Sequence, residues 1–133
     1  MTLLLEVTIP MLPPSVNRVY MPVHVRPQRG HGGFNTIRLT KEATDWIGQA
    51  TLFLPPLKLP AEQTFRMELS YHSNWFLKDG VTLKNKDVRN FEKLVTDTIF
   101  RRYGLNDKLV WESLVTKIQD TEKEKVVVKL FTL

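Results

Sequence analysis

The chain has 133 residues, 42% of them hydrophobic, which suffices to bury one core and fits a single domain. It holds no cysteine, which excludes disulfides and thiolate metal sites, and no apolar run approaches the ~20 residues of a membrane span. A formal charge of +5 and a pI near 9.6 are compatible with a polyanionic partner, although many basic proteins bind nothing acidic.

At the start, Leu3, Leu5, Val7 and Ile9 alternate with Thr2, Leu4, Glu6 and Thr8, which predicts a strand with one mostly apolar face. The opening carries Glu6 and no basic leader, so it reads as a strand and not as a signal peptide, in keeping with a cytoplasmic protein. Pro10 and Pro13-Pro14 end the strand, because proline cannot donate to a ladder. Residues 14–40 then lack periodicity and are expected to form a basic, flexible loop region. No acid occurs between Glu6 and Glu42, while Arg18, Arg26, Arg29, Arg38 and Lys41 accumulate beside His24 and His31. Gly30, Gly32 and Gly33 loosen this stretch, and Tyr20 and Phe34 offer rings for stacking. Such a segment can follow a phosphate backbone; the alternative is a solvated loop that binds nothing.

Thr40 has the character of an N-cap, followed by the apolar helical stripe Ala43, Trp46, Ile47, Ala50 and Leu54, which ends at LPPLKLP. Residues 63–73 alternate Phe65, Met67, Leu69 and Tyr71 against Arg66, Glu68 and Ser70, a second strand; His72 at its end reads as neither ligand nor base. Residues 74–86 form a turn-rich connection around Asp79-Gly80. Trp75 and Phe76 are expected to anchor it, and Lys78, Lys84 and Lys86 lead into Asp87.

Residues 86–110 are the centre of the pattern. Val88, Phe91, Val95 and Ile99 recur at helical spacing with Leu94 and Thr98 beside them. At ~100° per residue, Arg89, Asn90, Lys93 and Asp97 share the opposite face. Gly104 and Asp107 follow the helix, residues 109–119 alternate weakly as a third strand, and residues 126–131 form a fourth. These last two are expected to pair as an antiparallel hairpin. The fold class expected is α+β, a mixed sheet of about four strands packed with two main helices.

Phosphodiester hydrolysis needs a Lewis acid on phosphate and a source of hydroxide, and Mg²⁺ held by one or two carboxylates provides both. Asp87 and Asp107 are the candidate metal ligands, provided that a reversal after the helix returns the chain toward its start. Lys93 is placed to stabilise developing negative charge, and Asn90 to orient Asp87 or a bound water. Each residue also has a purely structural reading. Asp87 suits a helix N-cap, Asp107 suits a turn, and Lys93 with Asp97 makes an i, i+4 surface pair worth ~0.3–0.5 kcal/mol.

These residues resemble the RusA family of Holliday-junction resolvases, endonucleases of bacteria and their phages. The family motif reads acid, any residue, acid, Asn, two residues, Lys, then a helix ending in Gly and an Asp-Asp pair opening a strand. Asp87, Asn90, Lys93 and Gly104 stand at matching positions, and Asn106-Asp107 takes the place of the Asp pair. Leu109, Val110, Glu112 and Lys117 continue the pattern, and Pro13-Pro14-Ser15 with Asn17 and Tyr20 resembles the family's opening. The resemblance implies a Mg²⁺-dependent endonuclease that resolves four-way junction DNA in recombination and repair. It implies a homodimer, with no membrane partner and no small-molecule cofactor. Asp87, Asn90, Lys93 and Asp107 would then be catalytic, with phosphate contacts from Arg18, Arg26, Arg29, Arg38, Lys84, Lys86 and Arg89. The family's middle acid is Arg89 here, which leaves Asp79, Asp97 or Glu112 as candidates for a third carboxylate. Two alternatives stand beside this reading: a catalytically impaired relative that binds junctions, and a small basic RNA- or ribosome-associated protein.

Overall fold

The computed structural model describes residues 1–15, 18–60, 62–86 and 88–133, and of Asn90 the backbone alone. Asp87, the first acid of the motif, and Asn17 lie outside the described residues.

The elements follow in the order β1 (Thr2–Ile9), β2 (Tyr20–Val25), β3 (Phe34–Leu39), α1 (Lys41–Thr51), β4 (Phe65–Ser73), α2 (Arg89–Tyr103), β5 (Val110–Gln119) and β6 (Lys125–Thr132). The fold is α+β. A four-stranded mixed sheet runs β1-β6-β4-β5, with β4 and β5 parallel and the other neighbours antiparallel, and β2 and β3 form a separate two-stranded ribbon. Among the described residues no helix is long and apolar enough to cross a membrane.

Alternation builds the core. Phe65, Met67, Leu69 and Tyr71 of β4 are buried on one sheet face, flanked by Val126, Val128 and Leu130 of β6 and by Leu5, Val7 and Ile9 of β1. Against this face lie Ala43, Trp46 and Ala50 of α1 and Phe91, Leu94, Val95 and Ile99 of α2. The Tyr71 and Phe91 rings meet at 5.6 Å between centroids. Full burial of each large apolar side chain stabilises by roughly 1.5–3 kcal/mol, so this face holds most of the fold's stability. Thr40 caps α1 by accepting from the Ala43 N–H at 3.2 Å. Gly104, at φ 63°, ends α2 in the left-handed conformation that glycine adopts without strain.

Two expectations need correction. The aperiodic stretch 14–40 contains the β2–β3 ribbon, paired at six positions from Tyr20↔Leu39 to Val25↔Phe34. None of its twelve residues is buried, so nothing imposed the apolar–polar alternation by which a strand is recognised. The C-terminal strands do not form a hairpin: β4 lies between β5 and β6. β6 has a full apolar face and gains more from the centre of the sheet, whereas most of β5 stays exposed and takes the edge. Residues 120–124 pass around the end of β4, where the Asp120 N–H donates to the Ser73 carbonyl at 2.9 Å and the Ser73 hydroxyl to Glu124 at 3.0 Å.

Candidate active site and nucleic-acid interface

The loop before α2 is fixed from several sides. Trp75 is buried, and its indole N–H donates to the Ile118 carbonyl at 2.9 Å. The Asp79 carboxylate accepts from the Thr82 hydroxyl and from the N–H groups of Val81 and Thr82, which hold it below the usual carboxylate range. Lys84 N–H donates to the Trp75 carbonyl at 2.7 Å. From β5, the Lys117 ammonium donates to the Lys86 carbonyl at 2.8 Å and stands 5.0 Å from the Trp75 ring centroid. The anchoring expected of Trp75 is thus present, and the backbone immediately before Asp87 is held in place.

Beside it opens a groove of about 660 Å³. Pro13, Pro14, Ser15 and Arg18 form one side, and Asn85, Lys86 and Phe91 line it from the segment around the start of α2. Pro13-Pro14-Ser15 and residues that flank the motif at the start of α2, some seventy positions apart in the sequence, therefore share one concave surface. Glu42 and Asp45 of α1 and Glu124 also line it. Sequence reasoning passed over these three acids. The available signal was the i, i+3 spacing of Glu42 and Asp45, directly after the acid-free stretch.

The polar face of α2 continues toward the ribbon. Lys93 is exposed, and its ammonium lies 5.7 Å from the Tyr20 ring centroid, a contact worth ~0.5–1 kcal/mol at an exposed site. Tyr20, Asp97 and Arg101 line a second, smaller groove there. The ribbon's base is tied to α1, since Thr40 N–H donates to the Val19 carbonyl at 2.8 Å and its hydroxyl donates to the Arg18 carbonyl. Arg18, Arg26, Arg29 and Arg38 are all exposed, as are Lys86 and Arg89, while Lys84 is half-buried. With no acid along residues 7–41, the arginines form a positive field that no neighbour on the ribbon cancels.

Asp107 is elsewhere. It is exposed in a single 3-10 turn, Asp107–Leu109, where Asn106 accepts from the Lys108 N–H at 3.2 Å. That turn follows the C-terminus of α2, and fifteen helical residues span ~22 Å. The return strand comes alongside the start of α2 only further on. The Ser113 hydroxyl lies 3.4 Å from Glu92, and Lys117 reaches Lys86. Within one chain the structure brings Lys117, not Asp107, to the segment that precedes Asp87.

The candidate third acids are also engaged elsewhere. Asp79 is bound by its own turn, and Glu112 pairs with Arg66 of the neighbouring β4 at 2.9 Å, on the sheet face opposite the buried residues of β4. Asp97 lines the smaller groove. Half-buried His72 follows the outer-face alternation of β4, and burial, then Lys125, push its pKa down. Among the described residues, no three metal-ligating side chains come together. No family model matches the chain, and no curated protein matches it either, so the resemblance rests on its motif residues.

Proposed function

We propose that the chain is a RusA-like, Mg²⁺-dependent endonuclease that resolves four-way DNA junctions. The observation that carries this reading is the groove in which Pro13-Pro14-Ser15, from the opening that resembles the family's, meets Asn85-Lys86, the residues that lead directly into Asp87, although the two are remote in sequence. Two further features support it. Lys93 lies on an exposed helix face beside an acid-free, arginine-bearing ribbon, so the group assigned to charge stabilisation adjoins a surface suited to phosphates. Lys117 and Trp75 hold the backbone that leads into Asp87, the kind of support that catalytic geometry needs.

In this reading the ribbon arginines, Lys84 and Lys86 hold the backbone of the junction, Asp87 and Asp107 are metal ligands, and Arg89 contacts phosphate. The test is cleavage of a synthetic four-way junction with and without Mg²⁺. Natural protein should cut only with the metal. Asp87→Asn and Asp107→Asn should each abolish cutting while junction binding is kept or strengthened, because each change removes charge that attracts metal and repels phosphate. Two active Asn variants would sink the assignment. Arg89→Asp separates the remaining possibilities. Slower cutting marks Arg89 as a phosphate contact, whereas an inactive natural protein revived by Arg89→Asp marks a junction-binding relative with a degenerate site.

A further inference from the structure

The β2–β3 ribbon has two faces, and they differ. In an antiparallel pair, directly opposed residues point to the same side, so the register sorts the ribbon's side chains. Tyr20 with Leu39, Pro22 with Ile37 and His24 with Asn35 share one face, across which the His24 Nδ1 meets the Asn35 Oδ1 at 2.8 Å. At its base this face turns to the body, where Tyr20 and Leu39 line the smaller groove with Ile47 and Leu94. The other face carries Met21 with Arg38, Val23 with Thr36 and Val25 with Phe34. It is mostly apolar, yet Phe34 is 56% and Met21 45% exposed.

The tip that presents Phe34 is built rather than loose. Gln28 and His31 exchange both backbone hydrogen bonds, at 3.0 and 2.8 Å, around a turn in which Gly30 takes φ 84°. Gly33 passes so close to its neighbours that a Cβ there would lie 3.0 Å from the Pro27 Cδ and from the Val25 carbonyl oxygen. The residue before Phe34 is thus held in a contact that leaves no room for a side chain. Phe34 pairs with Val25 at the far end of the ribbon, about 17 Å out from the contact of Tyr20 with Lys93.

We propose that this outer face stacks on unpaired DNA bases, with Phe34 as the ring that meets them and Arg26, Arg29 and Arg38 holding the phosphates on either side. Charge decides the occupant. Every charged side chain from Arg18 to Lys41 is cationic, so a polyanion is the partner that this surface complements. Phosphate contact alone needs no apolar surface, and an intact duplex keeps the faces of its bases stacked and out of reach. Unpaired bases offer those faces, and an aromatic ring binds any of them because every base has a π-face. An arm that sets an exposed ring among arginines therefore suits DNA whose stacking is interrupted, at a branch point or in a single strand. For the branch point the inference rests on the resolvase reading, whereas stacking on a single strand does not need it.

Binding of the full chain is measured without Mg²⁺, so that no probe is cut, to a duplex, a four-way junction and a single-stranded oligonucleotide. Phe34→Ala should weaken binding to the single strand by roughly 5- to 150-fold for one stacked base, and weaken junction binding in the same sense. Duplex binding should stay within about twofold, and the salt slope should not change, because no charge is removed. Phe34→Trp should keep the preference for unpaired bases. Phe34 is exposed, so the urea midpoint of both variants should match that of the natural chain. Equal losses on all three probes, or no loss on any, would overturn the stacking. The two readings fail separately. If the natural chain cuts junctions and Phe34→Ala binds every probe as before, the stacking is wrong and the resolvase reading stands. If single strands are bound through Phe34 and nothing is cut with Mg²⁺, the stacking stands and the resolvase reading falls. A natural chain that binds none of the probes overturns both.

Discussion

The four-stranded sheet and the β2–β3 ribbon use the same backbone pairing for opposite ends. In β4 every second side chain is buried, whereas across the ribbon none is. A two-stranded ribbon with no buried face is marginal by itself. This one is held at its base by Thr40 and by the contact of Tyr20 with Lys93. Stability therefore resides in the sheet, and the ribbon is left to present Arg26, Arg29 and Arg38 without a competing acid. A protein that needed only to fold would gain nothing from such an arm.

Substitutions in the two regions should therefore separate cleanly. Leu69→Ala, at a fully buried position of β4, should destabilise by about 2–5 kcal/mol, and Ile37→Ala, on the exposed ribbon, by less than about 0.5 kcal/mol. Urea denaturation of both variants measures this. Comparable losses would mean that the ribbon is packed against something in solution. Reversing charge inverts the ranking. Arg26→Glu with Arg29→Glu should leave the urea midpoint unchanged. The same pair should weaken junction binding at least tenfold at moderate salt and lower the salt slope of log K by roughly two. An unaltered affinity would remove the ribbon from the interface.

How much of this was legible in the sequence follows from burial. β1, β4, β6 and both helices were readable because each has one face in the core, which writes its period into the order of residues; β5, with no buried residue, alternates only weakly. Thr40 and Gly104 marked their helix ends through side-chain and backbone chemistry that is local. The ribbon was not readable because it buries nothing. The placement of β5 was hidden for a related reason: strand order depends on which strands compete best for the centre of the sheet, and no local pattern records that competition. At the candidate site, the residue types and spacings near Asp87 were visible, but the distance to Asp107 was not. That distance depends on where the return strand comes alongside α2, and the structure puts Lys117 at that level.

A gain in stability, smaller than the loss at Leu69, is expected inside the sheet region itself. Tyr71 is fully buried, and among the described residues its hydroxyl has no hydrogen-bond partner. Burial, and then the charge of Glu92, raise its pKa, so it stays neutral across the physiological range. A buried hydroxyl without a partner costs about 1–3 kcal/mol of desolvation, which its ring contact with Phe91 must offset. Tyr71→Phe keeps the ring and removes the hydroxyl, so stability should rise by up to about 1 kcal/mol, a gain of a few degrees in Tm for a chain of this size. A loss of similar size would show that the hydroxyl is bonded in the folded protein to a group outside the described residues. Tyr71 packs against Phe91 near the start of α2, so such a bond would tie the core to the segment that carries the candidate site. Calorimetry of this one variant therefore shows whether the sheet merely supports that segment or also fixes it through a polar contact.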